Sequence, residues 1–301
     1  MAALAGSRTH ATSARRRAIG NGWILATYVA LIFFVLWTVV PFVWMFLASI
    51  KTNKEIYQEF TIFPKNVYLG HYETLLFGES AGVGMRASAR FSTWLRNTVV
   101  VALAVTTLSI VLGAFGAYAV TRLRFAGRGI MARGLVFTYL VPGSLLFIPL
   151  FQIVANAELV DTLWALILVY PSFTLPFCTW MLASYFRSIP VELEDAALID
   201  GCSRLGVLFR ITIPLSAPAI AVVGLFSFTQ SWNEFLYALV FTNSVSTRTV
   251  TVGLTQMLGE DVFYWGQMMG GAILAALPPV ILYMLAQRLV IQGLVGGAVK
   301  G

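Results

Sequence analysis

The sequence contains long apolar runs without a charged residue, and the run from Trp23 to Ile50 is 28 residues long. A helix needs about 20 apolar residues to cross the hydrocarbon core of a bilayer. Only 11% of the residues are charged, whereas soluble domains have about 25%. A water-soluble fold of this length could not cover so much apolar surface with polar groups. The sequence therefore predicts an all-α integral membrane protein.

Six runs are long enough to be transmembrane helices. They are Trp23–Ile50, Thr98–Val120, Gly134–Ala155, Thr162–Phe186, Ala219–Asn243 and Trp265–Leu289. An N-terminus in the cytoplasm places 13 of the 20 Lys and Arg residues on the cytoplasmic side, as the positive-inside rule requires. The loop 122–133 has four arginines and no acid, and it decides the orientation. We expect both termini in the cytoplasm of a multi-pass inner-membrane protein.

The first 20 residues form a basic cytoplasmic tail, which we expect to lack regular structure, and the membrane domain occupies residues 21–301. The arginines at 15–17 could instead begin a secretory signal peptide. Such a peptide has an apolar core of only about 7–15 residues, so the long first run favours a transmembrane helix.

The polar segment 187–218, between the fourth and fifth runs, has the signals of two short helices. Ser188 and Pro190 favour a helix start. Gly201 favours a helix stop, because glycine readily adopts the left-handed conformation. Ser203 can cap a second helix, which we expect to end before Pro214. The pattern predicts an elbow at the cytoplasmic surface.

Within this segment, Asp195–Gly201 and Ile211–Pro214 resemble the EAA loop of permease subunits of ABC importers. The family pattern is Glu-Ala-Ala, three variable positions, Gly, nine residues and Ile-x-Leu-Pro. Here Asp195 replaces the Glu and Ile213 replaces the Leu. The resemblance implies a coupling helix that docks on a dimeric P-loop ATPase. The candidate coupling residues are Glu194, Asp195, Ala196, Ala197, Asp200, Gly201, Ile211 and Pro214.

The residue types of the elbow suit such docking. The small alanines allow close approach of a partner, and the acids are expected to pair with basic residues of the ATPase. The alternative is an interfacial helix that lies on lipid. Such helices usually have a Lys- and Arg-rich polar face, whereas the stretch 192–200 is rich in acids.

Residues 94–301 resemble the second, MalG-like permease subunit of the maltose-type carbohydrate importers. The stretches that carry the resemblance, besides the loop above, are Trp94–Thr98, Tyr118–Arg128, Thr251–Leu254, Trp265–Gly266, Ala276–Pro279, Ala286–Arg288 and Gly296–Gly301. The resemblance implies half of a pathway for a sugar or related polyhydroxylated solute, completed by a second homologous permease. It also implies an extracytoplasmic solute-binding protein that contacts the loop 244–264. ATP and Mg²⁺ would bind to the ATPase, so we expect no cofactor and no enzymatic activity in this chain.

Glu234 is the one acid inside a predicted transmembrane helix, in the triplet Trp232-Asn233-Glu234. A charge at mid-depth costs about 2.5–3.5 kcal/mol on insertion scales and usually faces a cavity or another helix. An indole, an amide and a carboxylate together could bind a sugar, which makes the triplet a candidate solute pathway. The alternative is that Asn233 and Glu234 only hydrogen-bond neighbouring helices. Prolines 142, 149, 171 and 176 are further candidates for breaks in the helices.

The main alternative function is an ATP-independent secondary transporter or channel. That function needs intramembrane ion-coupling acids or an inverted repeat, and it leaves the acidic elbow unexplained. The chain also has no P-loop, no HExxH motif and no histidine in a predicted span, so an enzyme is disfavoured. The two histidines and two cysteines are far apart in sequence, which disfavours a metal site. The net charge of +7 is explained by topology and anionic lipid, without nucleic acid.

Overall fold

The computed structural model describes residues 5–59, 61–78, 90–257 and 264–298. Within these ranges the protein is helical and has no β-strand. The α-helices of the described residues are α1 Ala5–Ser49, α2 Asn53–Gln58, α3 Gly70–Phe77, α4 Phe91–Arg122, α5 Arg128–Leu140, α6 Phe147–Asn156, α7 Leu163–Val169, α8 Pro171–Phe186, α9 Val191–Ile199, α10 Arg204–Val207, α11 Ile213–Leu215, α12 Ala217–Asn233, α13 Leu236–Phe241, α14 Val250–Gln256 and α15 Trp265–Ala298.

Four stretches of the described residues are long and apolar enough to cross a membrane. They are Trp23–Ser49, Phe91–Arg122, Leu163–Phe186 and Trp265–Arg288, and they correspond to the first, second, fourth and sixth predicted runs. A fifth crossing results if Arg204–Leu215 and Ala217–Asn233, which meet at an angle of 81°, form one span. The predicted all-helical class is confirmed.

The third predicted run is broken. Helix α5 ends at Leu140, and Val141 has the extended angles φ −74° and ψ 121°. The cause is Pro142, whose ring disfavours a helical conformation at the preceding residue. The chain then continues as a short 3₁₀ helix, Gly143–Leu146, into α6. The break predicted at Pro142 is therefore present.

The fifth predicted run is also divided. Helix α12 ends at Asn233, Glu234 is extended with ψ 132°, and α13 begins at Leu236. No sequence rule for prolines or glycines marks this break. Among the other candidate breaks, Pro171 marks a division, because α7 ends at Val169 and α8 begins at Pro171. Pro149 and Pro176 lie inside helices and mark none.

Residues 5–20 of the basic N-terminal tail are part of α1, which starts at Ala5. We expected this tail to lack regular structure. The tail is rich in Ala and Arg, which have high helix propensity, and it continues the helix of the apolar run. Beyond the tail, the apolar side chains of α1 from Trp23 to Phe46 are mostly exposed, which suits a lipid environment.

Helices α4, α8 and α12 pack against one another and form the centre of the fold. Small residues of α4 permit close contact with α8. A Cβ atom added at Gly113 would lie 3.5 Å from Cys178, and one at Gly116 would lie 3.0 Å from Thr179. Helix α4 has 32 residues, so it is about 48 Å long. Its two ends lie at the two polar regions described next.

Candidate functional site

In the elbow, residues 187–218, the end of the first helix and the start of the second lie where the sequence predicted them. Pro190 is the N-cap of α9. Gly201 follows the helix with φ +86°, the left-handed region that glycine tolerates best. The Ser203 hydroxyl caps α10 by accepting a hydrogen bond from the Gly206 N–H over 3.1 Å. Ser188 does not cap α9, because its hydroxyl donates to the Tyr185 carbonyl.

The second helix of the elbow is longer than predicted. After α10 the chain continues as a π-helical segment, Leu208–Thr212, which contains the half-buried Ile211. Pro214 does not end this helix, because α11, which contains it, directly continues the π-helical segment. The sharp bend comes later, at Ser216, where the axis turns by 81° into α12.

The candidate coupling residues of α9 separate into two faces. Asp195, Ala196 and Asp200 are exposed, as is Gly201 just after the helix. Ala197 is buried against the rest of the chain. The exposed face therefore combines a small side chain with two acids, and it is open to a partner.

Glu194 belongs to the buried face of α9, and its side chain corrects the expectation that this acid pairs with a partner protein. Only 2% of the residue is exposed. Its carboxylate forms an ion pair with Arg122, the last residue of α4, with an Nε–Oε1 distance of 2.8 Å. The Thr212 hydroxyl donates to the same oxygen over 3.2 Å. Local sequence could not identify this contact, because it joins residues 72 positions apart.

Arg122 also binds main-chain oxygens around the end of α8. Its second guanidinium nitrogen, Nη2, donates to the carbonyl of Phe186 over 2.7 Å and to that of Ile189 over 2.9 Å. Arg128 similarly donates to the carbonyls of Val120 and Thr121, near the end of α4. Two of the four arginines in the loop 122–133, which indicated the orientation in the membrane, therefore also bind main-chain carbonyls at the ends of α4 and α8.

The triplet Trp232-Asn233-Glu234 does not form a single solute-binding surface. Trp232 is 3% exposed and stacks on Phe228 at a ring distance of 5.3 Å. Its indole Nε1 donates to the Ala275 carbonyl of α15 over 3.1 Å. Asn233 is exposed, and its amide donates to the Thr229 carbonyl of its own helix. Trp232 and Asn233 point about 100° apart on α12, and Glu234 lies in the extended break after the helix, so the three side chains diverge.

Glu234 organises the break between α12 and α13. Its carboxylate accepts hydrogen bonds from the Tyr170 hydroxyl over 2.7 Å and from the backbone N–H groups of Tyr237 and Ala238 over 2.9 and 3.0 Å. It therefore caps α13 as an acid at a helix N-terminus does. The alternative, that Asn233 and Glu234 hydrogen-bond neighbouring helices, holds for Glu234, which bonds Tyr170 at the N-cap of α8. It does not hold for Asn233, which bonds within α12.

A cleft of about 390 Å³ lies beside this break. Of the triplet, only Glu234 lines it. Sequence reasoning missed polar lining residues from four different elements, the 3₁₀ helix, α8, α12 and α13: Ser144, Ser172, Gln230 and Tyr237. The one signal that could have located the cleft is Pro142, which also lines it, since backbone breaks in membranes occur beside cavities.

At the opposite end of α4, the Trp94–Thr98 motif holds the segment 243–250. The Trp94 indole donates to the Val245 carbonyl over 3.0 Å. The Asn97 amide donates to the carbonyls of Ser246 and Arg248 over 2.8 and 3.0 Å. The Thr98 hydroxyl accepts from the Val250 N–H over 2.8 Å. These contacts give the motif a structural role that the resemblance did not supply.

Asp161 holds the same segment from the loop between α6 and α7. Its Oδ1 accepts from the N–H groups of Asn243 and Ser244, both over 2.8 Å, and from the Thr247 hydroxyl over 2.5 Å. The Ser244 hydroxyl donates to Oδ2. Burial alone raises the pKa of Asp161, but these hydrogen bonds outweigh burial and lower the pKa to about 2. Residues 258–263 of the loop expected to contact a binding protein lie outside the described residues.

In the described part of the chain, no three His, Cys, Asp or Glu side chains lie close enough together to hold a metal ion. The polar side chains of the elbow, the cleft and the segment 243–250 form hydrogen bonds and ion pairs. Such groups can bind a protein partner or a polar solute.

Two relatives match almost the whole chain. The inner membrane ABC transporter permease protein YcjP of Escherichia coli is 37% identical over 279 residues, which are 91% of this chain and 95% of that protein. The sulfoquinovosyl glycerol transport system permease protein SmoH of Agrobacterium fabrum is 35% identical, over 87% of this chain and 88% of that protein.

The fold is also shared with a solved structure, a bacterial ABC transporter involved in the import of the acidic polysaccharide alginate. The TM-score is 0.74 at 22% identity, over 88% of this chain and 95% of that one. Residues 74–295 match the sequence model of the binding-protein-dependent transport system inner membrane component. This chain belongs to that family, and it is a multi-pass inner-membrane permease subunit of a binding-protein-dependent ABC importer.

Proposed function

We propose that this chain forms half of the translocation pathway of an ATP-driven importer for a sugar or related polyhydroxylated solute. The relative from Agrobacterium fabrum transports, by its name, sulfoquinovosyl glycerol, which contains a sugar. The resemblance of residues 94–301 to maltose-type permeases supports the same solute class. A second homologous permease would complete the pathway, and an extracytoplasmic binding protein would deliver the solute.

The proposed topology has six spans in one membrane domain, residues 21–301, with residues 1–20 and the C-terminus in the cytoplasm. Four spans are long apolar helical stretches of the structure, one of which comprises α7 and α8. The remaining two are broken spans, α5 with α6 and α12 with α13, each interrupted beside the cleft. The excess of arginine on the side of the elbow supports the orientation.

The exposed face of α9 is the observation that carries the proposed coupling to a dimeric P-loop ATPase. Asp195, Ala196 and Asp200 lie open on this face, directly before the turn at Gly201. ATP and Mg²⁺ would bind to the ATPase and not to this chain. Closure of the ATPase dimer would move the docked elbow as a rigid body, and α12 would transmit the movement to the pathway.

The cleft beside Glu234 is the proposed contact of this chain with solute. Gln230 and Ser144 supply hydrogen-bonding groups, and Phe173 supplies an aromatic face. Glu234 is assigned a different role from the one expected, because its carboxylate already binds three donors. It would shape the cleft, while Trp232 packs behind it and Asn233 lies on the outer surface of α12.

The proposal is tested by purifying the tagged chain from native membranes in detergent and identifying every co-purifying protein. We expect an ATPase subunit and a second permease in stoichiometric amounts. In proteoliposomes, uptake of labelled sugars should require ATP on the elbow side and the binding protein on the other. Transport by the chain alone without ATP would contradict the proposal and favour a secondary transporter.

The orientation is tested with two single-cysteine variants in a Cys202→Ser background, because the remaining Cys178 is buried. Arg204→Cys lies on the exposed surface of the elbow, and Asn66→Cys lies on the exposed segment between α2 and α3. We expect a membrane-impermeant maleimide to label Arg204→Cys only in inverted vesicles and Asn66→Cys only in intact cells. Labelling of both from the same side would contradict the topology.

A further inference from the structure

The buried ion pair between Arg122 and Glu194 lies where four elements meet. Arg122 ends α4, and Glu194 lies in the first turn of α9. The side chains are only 8% and 3% exposed. A buried ion pair adds little net stability compared with apolar side chains of similar size, and removing one partner is costly. Its presence at this position calls for a role other than stability.

The guanidinium group joins the elbow to the membrane helices at the point where the chain could flex. Only residues 187–190 connect α8 to α9. Arg122 binds the Phe186 carbonyl on one side of this linker, the Ile189 carbonyl within it, and the Glu194 carboxylate beyond it. A planar guanidinium with several fixed donors can hold three acceptors at once, which a lysine cannot do with the same geometry.

Glu194 extends the connection to the second half of the elbow. The Thr212 hydroxyl, at the end of the π-helical segment, donates to the same carboxylate oxygen that Arg122 binds. The pair thus links α4, the end of α8, α9 and the segment that leads into α12.

We propose that Arg122 and Glu194 are positioning residues that make the elbow move together with α4 and α8, so that movement of the docked elbow reaches the pathway. Without the pair, the linker 187–190 could bend and absorb the movement. The exposed Asp195 and Ala196 would still meet the ATPase, but ATP hydrolysis would be less tightly coupled to solute import. This inference rests on the proposed docking of the elbow on an ATPase.

The test uses the complete transport complex in proteoliposomes and measures the number of solute molecules imported per ATP hydrolysed. This ratio does not depend on how much complex assembles, so it separates coupling from folding. We expect Glu194→Gln and Arg122→Lys to lower it by about fivefold or more, the lower range of ordinary coupling between sites. The matched control is Arg124→Lys, an exposed arginine of the same loop, which should keep the wild-type ratio.

A double variant keeps the test decisive if the single variants fold poorly. Arg122→Met with Glu194→Leu replaces the pair by apolar side chains of similar volume, which restores stability in other buried pairs. We expect this complex to assemble well but to keep the low import ratio, because the bonds to Phe186, Ile189 and Thr212 are gone. A wild-type ratio in the double variant, or in Glu194→Gln, would overturn the inference. Failure of any ATPase to co-purify with the wild-type chain would instead overturn the proposed function.

Discussion

The two ends of α4 are attached to polar segments in different ways. At the Trp94 end, side chains of α4 bind main-chain groups of the segment 243–250. At the other end, Arg122 binds one particular side chain, Glu194, in addition to carbonyl oxygens. Main-chain acceptors are present whatever the residue type, whereas the ion pair requires one matching charge. The first attachment therefore tolerates changes in its partner segment, and the second does not.

The largest effect should come from breaking the ion pair on one side only. Arg122→Met leaves the Glu194 carboxylate buried without a counter-charge, which costs about 3–5 kcal/mol. We expect this loss in the free energy of unfolding of the chain in mixed micelles titrated with a denaturing detergent. Arg124→Met, at an exposed position, should stay within about 0.5 kcal/mol of wild type. Equal effects of the two variants would contradict the assigned role of Arg122.

Breaking the uncharged attachment at the Trp94 end of α4 should lower the free energy of unfolding by a smaller amount. Asn97→Ala removes the donor for the carbonyls of Ser246 and Arg248, which we expect to cost about 1–3 kcal/mol. Amide hydrogen exchange should become faster within 243–250, while exchange in the elbow stays unchanged. Asn66→Ala, at an exposed position, is the control. Unchanged exchange in Asn97→Ala would show that Trp94 and Thr98 hold the segment without it.

The same contrast explains which features could be predicted. The two ends of α9 follow from local chemistry, since a proline precedes the helix and a glycine follows it, and those two predictions were correct. The direction of Glu194 depends on Arg122, 72 positions away, and that of Trp232 depends on Ala275, 43 positions away. Periodicity does not encode such contacts. For the same reason the triplet could be located in the sequence, but the partners of Trp232 and Glu234, the Ala275 carbonyl and the Tyr170 hydroxyl, could not be predicted.

Two of the glycines with a left-handed backbone conformation lie in the elbow and in the loop before α5. Substituting either should lower stability by a smaller amount, and only the one in the elbow should affect transport. Gly201 and Gly127 have φ values of +86° and +88°, and neither has an atom within 4 Å of an added Cβ. A valine at either position is strained by about 1–2 kcal/mol. We expect Gly201→Val to abolish solute uptake and Gly127→Val to preserve it, with normal membrane insertion of both. Normal uptake in Gly201→Val would contradict the role of the elbow.

The smallest effect is expected at Asp161, the one charged side chain described above that holds the segment 243–250. Asparagine can keep three of the contacts, because Asn243, Ser244 and Thr247 all donate to Oδ1. It also tolerates the positive φ of this residue. Asp161→Asn should therefore cost only about 1 kcal/mol at pH 7, since the charge that strengthens these bonds is lost.

The pH dependence of the unfolding free energy tests whether the charge of Asp161 causes the difference between wild type and Asp161→Asn. The pKa of Asp161 is lowered from 3.8 to about 2 in the folded protein, so its ionised form stabilises the fold. That contribution is complete above about pH 4 and is lost as the pH falls through about 2. The difference in unfolding free energy between wild type and Asp161→Asn should shrink over this range. A difference that stays constant down to pH 2 would show that the hydrogen-bond geometry, rather than the charge, holds the segment, and would make this attachment as neutral as the one from Asn97.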